Sequence, residues 1–472
     1  MKVRACVVLF CGLALAAANA QAQKLPKHAR VRSAGVEGIY NERARFVVRV
    51  DVDHKDRVYV DGDTLQATVQ SERGGFLYLL YVNVEGKTTC LFPNRYQADN
   101  RIEAKQLVRV PGPGANFRIR IHKPVGREVL KAVVATKPLS AEELRVGTLA
   151  EGVATPVSDK GVRDATVELN TTPACDWAEH QIELLTVARD TAQPPAQKPR
   201  CRYAAIVGVG KYRDEHIRPL PACAKDAELM KQLFQSHGHM DDLVVLQDEE
   251  ATLAKVRELF QILAQGTRPG DEIFIYWTGH GATVADTDGD ERDGLDEVLV
   301  TYDSIKDDIG RTGLLDDVLR RWVQDLDGRR VIFLLDVCLA GGFAGTGKRT
   351  SDTSLFPPLK REGPPAAAPQ AKTPFDFLDT ELAQTKDIGQ RETAVLCSSA
   401  ESQLSWVRHD GASSVMTGFL AGFVNQVQPP VSLSATYDYL KGEVPKYVRQ
   451  HFGEEQQPQY LDNLSSPAYL KP

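Results

Sequence analysis

Between residues 40 and 137, apolar and polar positions alternate in short runs. Phe46-Val47-Val48-Arg49-Val50, Val58-Tyr59-Val60 and Leu65-Gln66-Ala67-Thr68-Val69 come first, followed by residues 76–82, 88–92, 117–121 and 129–135. Gly74-Gly75 and Glu85-Gly86 punctuate them as turns. A period of two with turn signals at regular spacing predicts a small all-β, sandwich-like domain over residues 40–140. Residues 138–188 hold a weakly helical stretch and a few β-branched runs, with no clear period. Residues 189–200 are rich in proline, alanine and glutamine and read as a linker.

Beyond the linker the pattern changes. Tyr203-Ala204-Ala205-Ile206-Val207-Gly208-Val209, Leu243-Val244-Val245-Leu246, residues 273–277, residues 331–335 and Thr393-Ala394-Val395-Leu396-Cys397 are nearly continuous apolar runs, the signature of strands buried on both faces. Apolar positions at helical spacing predict helices over residues 225–237, with Gly238 as C-cap, over 252–263, with Gly266 beyond the end, and over 314–323. Strands alternating with helices predict an α/β domain over residues 201–470, a mostly parallel sheet flanked by helices on both faces. Residues 352–375 are proline-rich without an apolar period and predict a flexible loop inside that domain.

Composition adds bounds. The chain has 472 residues, 42% hydrophobic and 25% charged, enough for two or three domains with real cores. A formal net charge of −6 argues against a nucleic-acid binder. Lys2, Arg4, the apolar stretch over residues 5–18 and Ala18-Asn19-Ala20 form a signal-peptide pattern over residues 1–22. The expectation is an exported protein, periplasmic or extracellular, without stable membrane insertion after cleavage. Of the eight cysteines, Cys6 and Cys11 leave with the signal. No C-x-x-C pair is present, which argues against a zinc cluster. Cys175 and Cys201 flank the linker as one candidate disulfide, and Cys90 and Cys397 read as buried thiols.

Two apolar runs end in chemistry. Residues 272–277 run into Thr278-Gly279-His280-Gly281, and residues 331–335 into Asp336-Val337-Cys338-Leu339-Ala340-Gly341-Gly342. Reactive groups in parallel α/β sheets sit beyond the carboxyl ends of the strands, and both residues satisfy that rule. A thiol becomes a strong nucleophile only when deprotonated, and an imidazole can take that proton and return it to a leaving amine. His280 is thus a candidate base and Cys338 a candidate nucleophile. The glycines allow close backbone approach, so the N–H groups of Gly281 and Cys338 are candidates for an oxyanion site.

These two motifs resemble the catalytic motifs of the caspase–metacaspase family of cysteine peptidases. Leu220-Pro221-Ala222-Cys223-Ala224-Lys225-Asp226-Ala227 is similar to the metacaspase segment opening the first helix, and Gln457-Pro458-Gln459 to a segment near the C-terminus of bacterial members. The resemblance covers roughly residues 200–470 and implies a caspase-like fold. It implies His280 as base, Cys338 as nucleophile, and cleavage after arginine or lysine through a pocket at Cys223, Asp226, Thr278 and Asp336. Carboxylates from two segments suit a guanidinium. The plainer alternatives are a first-turn helix acid for Asp226 and a polar strand end for Asp336. The chain departs from the family at Leu339-Ala340, where His-Ser is usual, and at Thr278, where serine is common. The segment 76–94 resembles a small bacterial domain of unknown function, DUF4384.

Asp286-Thr287-Asp288-Gly289-Asp290-Glu291-Arg292-Asp293-Gly294-Leu295-Asp296-Glu297 is a dense acidic run without EF-hand spacing. It resembles a metacaspase loop, and Asp316 and Asp317 match an acid pair that holds calcium in that family. The competing reading is a solvated acidic loop with a helix-opening pair. No cofactor is required by the dyad, and calcium is the one ion implied. The partners expected are protein or peptide substrates. Lys348-Arg349, Lys360-Arg361 and Lys372 offer basic self-cleavage sites after the nucleophile. The alternative is a catalytically weak or inactive caspase-like scaffold or binding module.

Overall fold

The computed structural model describes residues 40–41, 44–141, 143–144, 176–189, 200–285, 295–337, 392–400 and 403–472. The signal pattern, Cys175, most of the linker, the acidic run up to Gly294, Cys338 and the proline-rich loop lie outside the described residues.

The N-terminal half forms a β-sandwich. One sheet joins Val48–Val52, Ala67–Ser71 and Val108–Val110. The other runs through Val58–Val60, Trp177–Val187, Gly126–Ala135, Gly75–Val82 and Thr88–Phe92. Val48, Val50, Val69, Leu77, Leu79, Leu130, Ala132, Ile182 and Leu184 meet in the core between them. Alternate residues of one strand, Leu77 and Leu79 inward and Tyr78 and Leu80 outward, serve two clusters, as a pleat of period two requires.

The unit extends past residue 140. Trp177–Val187 pairs with Gly126–Ala135 along its whole length, from Ala135↔Trp177 to Gly126↔Thr186. This strand lacks a clean apolar alternation because Glu179 and His180 are buried inside it with polar partners. His180 Nδ1 accepts the N–H of Val50 at 3.1 Å. The expected run at 117–121 contributes only Ile119–Arg120 to a strand.

The second domain combines a six-stranded sheet with a smaller antiparallel one of three strands, Gly281–Ala285, Leu295–Leu299 and Leu314–Leu315. Its elements in chain order are β1 (Arg202–Gly208), α1 (Pro221–His237), β2 (Asp242–Gln247), α2 (Leu253–Gly266), β3 (Glu272–Thr278), β4 (Gly281–Ala285), β5 (Leu295–Leu299), β6 (Leu314–Leu315), α3 (Asp316–Gln324), β7 (Arg330–Asp336), β8 (Thr393–Cys397), α4 (Val415–Gln426), α5 (Leu433–Phe452) and β9 (Gln459–Asp462). The order across the six-stranded sheet is β2-β1-β3-β7-β8-β9, all parallel except β9. Ile273, Ile275, Trp277, Phe333 and Leu335 face α2 and α3, and Phe274, Tyr276, Ile332 and Leu334 face α1, α4 and α5. No helix of the described residues is long and apolar enough to cross a membrane.

Three boundaries differ from the sequence expectation, the starts of α1 and α3 and the end of α2, which runs through Gly266 instead of stopping before it. Helix α1 starts at Pro221, because proline at N1 gives up an N–H that has no intrahelical partner there. Gly238 does close α1, yet its φ of −74° is right-handed. A Cβ there would sit 2.7 Å from Met240 Cε and 2.8 Å from the Phe234 carbonyl, so close packing selects the glycine. Leu314 and Leu315, expected in a helix, pair with β5, and α3 begins only at Asp316.

Ion pairs join the two domains. Arg321 of α3 meets Glu179 of the sandwich at 2.5 Å, with side-chain exposures of 6% and 0%. The Tyr40 ring lies 4.3 Å from that guanidinium. Arg57 reaches Asp327 at 2.6 Å. Burial works against the charge of Arg321, yet Glu179 and Asp325 outweigh it and raise its pKa.

Candidate active site

The sheet register builds the site. Thr278 closes β3 opposite both Gly208 of β1 and Asp336 of β7. Two residues beyond Thr278 comes His280, and two beyond Asp336 comes Cys338. Cys338 itself lies outside the described residues.

His280 is 7% exposed and held at several points. Its Nε2 lies 2.8 Å from the carbonyl oxygen of Arg218. A carbonyl only accepts, so Nε2 carries the hydrogen and the neutral ring keeps its lone pair on Nδ1. The backbone N–H of His280 donates to Tyr212 Oη at 3.0 Å, and its carbonyl accepts from Val300 N–H at 3.1 Å. The Tyr212 ring packs against the imidazole at 5.3 Å. Gly281 follows at the start of β4, opposite Leu299.

The four expected pocket residues gather at the end of the sheet beside α1. Gly208 permits this: a Cβ there would lie 2.6 Å from Ala227 Cβ and 3.2 Å from the Cys223 carbonyl. Helix α1 therefore lies directly on the strand end and brings completely buried Cys223 and Asp226 beside Thr278. Thr278 Oγ1 donates to Asp226 at 3.4 Å. Asp226 is not a first-turn acid, since α1 begins at Pro221 and has none there. Its carboxylate instead accepts the N–H of Ser414 at 2.8 Å and the Ser414 hydroxyl.

Asp336, the polar end of β7, is also completely buried. It accepts from Ser405 Oγ at 2.8 Å, from Thr417 N–H at 3.3 Å and from Thr417 Oγ1 at 2.5 Å. With the Thr417 proton committed to Asp336, Tyr276 Oη donates to Thr417 Oγ1 at 2.7 Å. Burial first, then the charges of Asp226 and Asp336, push the Tyr276 phenol well above its ordinary value. Both acids thus face the N-terminus of one helix, α4, whose free N–H groups favour negative charge.

Ser405, Ser414, Thr417, Tyr212 and the Arg218 carbonyl were not singled out by the sequence. Ser414 has a local signal, since serine directly before an apolar helical run is a typical N-cap. Its hydroxyl bonds Asp226 and makes no cap bond.

The acid pair singled out for calcium, Asp316 and Asp317, opens α3, and the acidic run up to Gly294 lies outside the described residues. Asp316 is 2% exposed at the start of α3, and Asp317 is paired with Arg320. Among the described residues no group of three or more His, Cys, Asp or Glu side chains gathers to hold a metal ion. Cys90 behaves as a plain thiol, with burial pushing it up to about 12.

A sequence profile of the caspase domain matches residues 201–469, and one for a domain of unknown function, DUF4384, matches residues 58–138. Metacaspase-1 of Saccharomyces cerevisiae strain YJM789 is 29% identical over 158 residues, covering 31% of this chain and 36% of the yeast protein. Metacaspase-1 of Sclerotinia sclerotiorum is 31% identical over 150 residues, 30% of this chain and 33% of that protein. The chain therefore spans about a third of the length of these curated relatives. The crystal structure of caspase-1 from Spodoptera frugiperda aligns with a TM-score of 0.36 and 11% identity, over 58% of this chain and 90% of that one. With the matched span covering more than half of its residues, the chain belongs to the caspase-domain peptidase family.

Proposed function

We propose that this protein is a cysteine endopeptidase in which His280 is the general base and Cys338 the nucleophile, cutting after arginine or lysine. The observation that carries the reading is the hydrogen bond from His280 Nε2 to the Arg218 carbonyl at 2.8 Å. It leaves Nδ1 as the basic nitrogen, at the end of the strand adjacent to the one that leads into Cys338.

The reaction follows in two halves. Nδ1 takes the Sγ proton, and the thiolate attacks the scissile carbonyl carbon. The carbonyl electrons move onto oxygen, where the N–H groups of Gly281 and Cys338 bind the anion. As the C–N bond breaks, the imidazolium protonates the departing amine and a thioester remains. Water, giving a proton to the same imidazole, attacks the thioester and releases the acid and the thiol.

The preference for a basic residue rests on Asp226 and Asp336, two carboxylates carried by different segments beside Thr278 and Cys223. A cation entering that region meets charge-assisted acceptors. Protein or peptide substrates, self-cleavage at Lys348-Arg349, Lys360-Arg361 or Lys372, and export through residues 1–22 belong to the same proposal.

One observation favours a second reading, an inactive binding module: both acids are completely buried and already bonded to the N-terminus of α4. A panel of fluorogenic peptides with Arg, Lys, Asp or Asn before the cut, with and without calcium, separates the two. Turnover of Arg and Lys peptides, abolished in Cys338→Ala, is expected. No turnover of any peptide supports the binding module, and preference for Asp overturns the pocket assignment. Fragmentation of the purified protein that persists in Cys338→Ala would sink self-cleavage.

A further inference from the structure

The residues between β1 and α1 form a cradle around His280 that reaches beyond the Arg218 carbonyl. We infer that Tyr212 and Asp248 are positioning residues for His280, Tyr212 by bonding its backbone N–H and Asp248 by anchoring the segment that carries Tyr212. The inference rests on the reading of His280 as the base.

Tyr212 has one hydroxyl and uses it in both directions. It donates to the Val209 carbonyl at 2.9 Å and accepts the His280 N–H at 3.0 Å. Val209 directly follows β1, and His280 follows β3 with only Gly279 between. The hydroxyl therefore ties together the ends of two neighbouring strands, just where the imidazole leaves the sheet. Burial pushes the phenol well above its ordinary value, so the hydroxyl keeps its proton and can serve as donor and acceptor together.

Asp248 fixes the segment from the other side. Its Oδ1 accepts the N–H groups of Gly210 at 2.9 Å and Lys211 at 3.0 Å. Asp248 is 5% exposed and stands at φ +48°, a left-handed conformation that a non-glycine residue holds at a cost. That backbone aims the carboxylate at the two N–H groups. Gly210 closes the turn, since its carbonyl accepts Leu220 N–H at 2.7 Å, and a Cβ on it would lie 2.7 Å from the Leu220 carbonyl. Past Tyr212 the segment continues to Arg218, whose carbonyl holds Nε2. The imidazole is thus gripped at its backbone and at its far nitrogen by one segment, and Asp248 holds that segment in register.

Substitutions test this on the full chain. Tyr212→Phe keeps the ring and removes both hydroxyl bonds. It is expected to lower kcat about ten- to hundredfold with KM little changed, the penalty of a misplaced catalytic group. Alkylation of Cys338 by iodoacetamide near neutral pH should slow in proportion, because it reports thiolate formation. Asp248→Ala should lose kcat similarly, while Asp248→Asn, which keeps an acceptor oxygen for both N–H groups, should restore it. Tyr212→Phe with kcat and alkylation within about twofold of the parent, beside an inactive His280→Ala, overturns the inference alone. An active His280→Ala overturns it together with the assignment of the base. If Tyr212→Phe loses melting temperature as well as rate, the Asp248 pair decides: rescue by Asn supports the cradle, and equal behaviour of Ala and Asn overturns it.

Discussion

Thr278 and Asp336 are register partners, the last paired residues of two adjacent parallel strands. Thr278 bonds Asp226 of the first helix, and Asp336 bonds Thr417 of a later one. One rung of the sheet therefore carries one of the two acids proposed to read substrate and bonds the other, and His280 and Cys338 come two residues after it in the sequence.

Asp336→Asn keeps the size and removes the charge. Losing a charge-assisted bond worth about 1.5–3 kcal/mol should lower kcat/KM for arginine peptides about ten- to hundredfold. Steady-state kinetics checks it. An Asp336 that only anchored α4 would instead lower the melting temperature and leave KM for arginine peptides unchanged.

Gly208→Ala places a methyl 2.6 Å from Ala227 Cβ and 3.2 Å from the Cys223 carbonyl. Helix α1 must then move off the strand end, at about 1–3 kcal/mol for overpacking. The expected result is a lower melting temperature together with weaker arginine-peptide binding, because Asp226 moves with α1. Unchanged values of both would mean that the helix accommodates the methyl without moving.

The pair Arg321–Glu179 is buried between the two domains. Arg321→Leu leaves a buried carboxylate without its main partner and should destabilise the chain by about 3–5 kcal/mol, whereas changing both residues to leucine should recover most of the loss. Calorimetry on the single and double variants measures this. Equal destabilisation by the double variant would show that packing, and not the uncompensated charge, dominates.

Glu128 supplies a pH-dependent term. Burial raises its carboxyl above the ordinary value, and hydrogen bonds from Thr186 and Tyr81 only partly offset it. The folded chain then holds this proton more tightly than the unfolded one. Its stabilising contribution is complete below the ordinary value of about 4.3 and is lost as pH rises through the raised value. Glu128→Gln should therefore gain melting temperature relative to the parent as pH is taken upward from about 5 to about 7.5. A constant difference across that window contradicts the assignment.

Much of the α/β domain was legible because its strands are buried on both faces and read as unbroken apolar runs, as in residues 273–277. Glycine and proline marked the turns, and Thr252 marked the start of α2 through a real cap bond to Lys255 N–H at 3.3 Å. The strand Trp177–Val187 was not legible, because Glu179 and His180 interrupt its apolar face. Their partners, Arg321 and the Val50 N–H, lie far away in sequence. Leu314-Leu315 misled for a related reason: two leucines before a helical pattern look like its first turn until β5 claims them.

By itself the sequence determined which chemistry is available: a histidine and a cysteine at the ends of two buried strands, acids near both, and a second, β-rich domain ahead of them. Local spacing carries that much, because strand periodicity and chain order are local properties. Only the tertiary structure decided which nitrogen of His280 keeps its lone pair, since that depends on a carbonyl 62 residues away in sequence. It also decided that Asp226 and Asp336 face the start of one helix, through Ser414 and Thr417 at separations of 188 and 81 residues. Hydrogen bonds between buried groups are set by packing in space, and sequence distance places no limit on them.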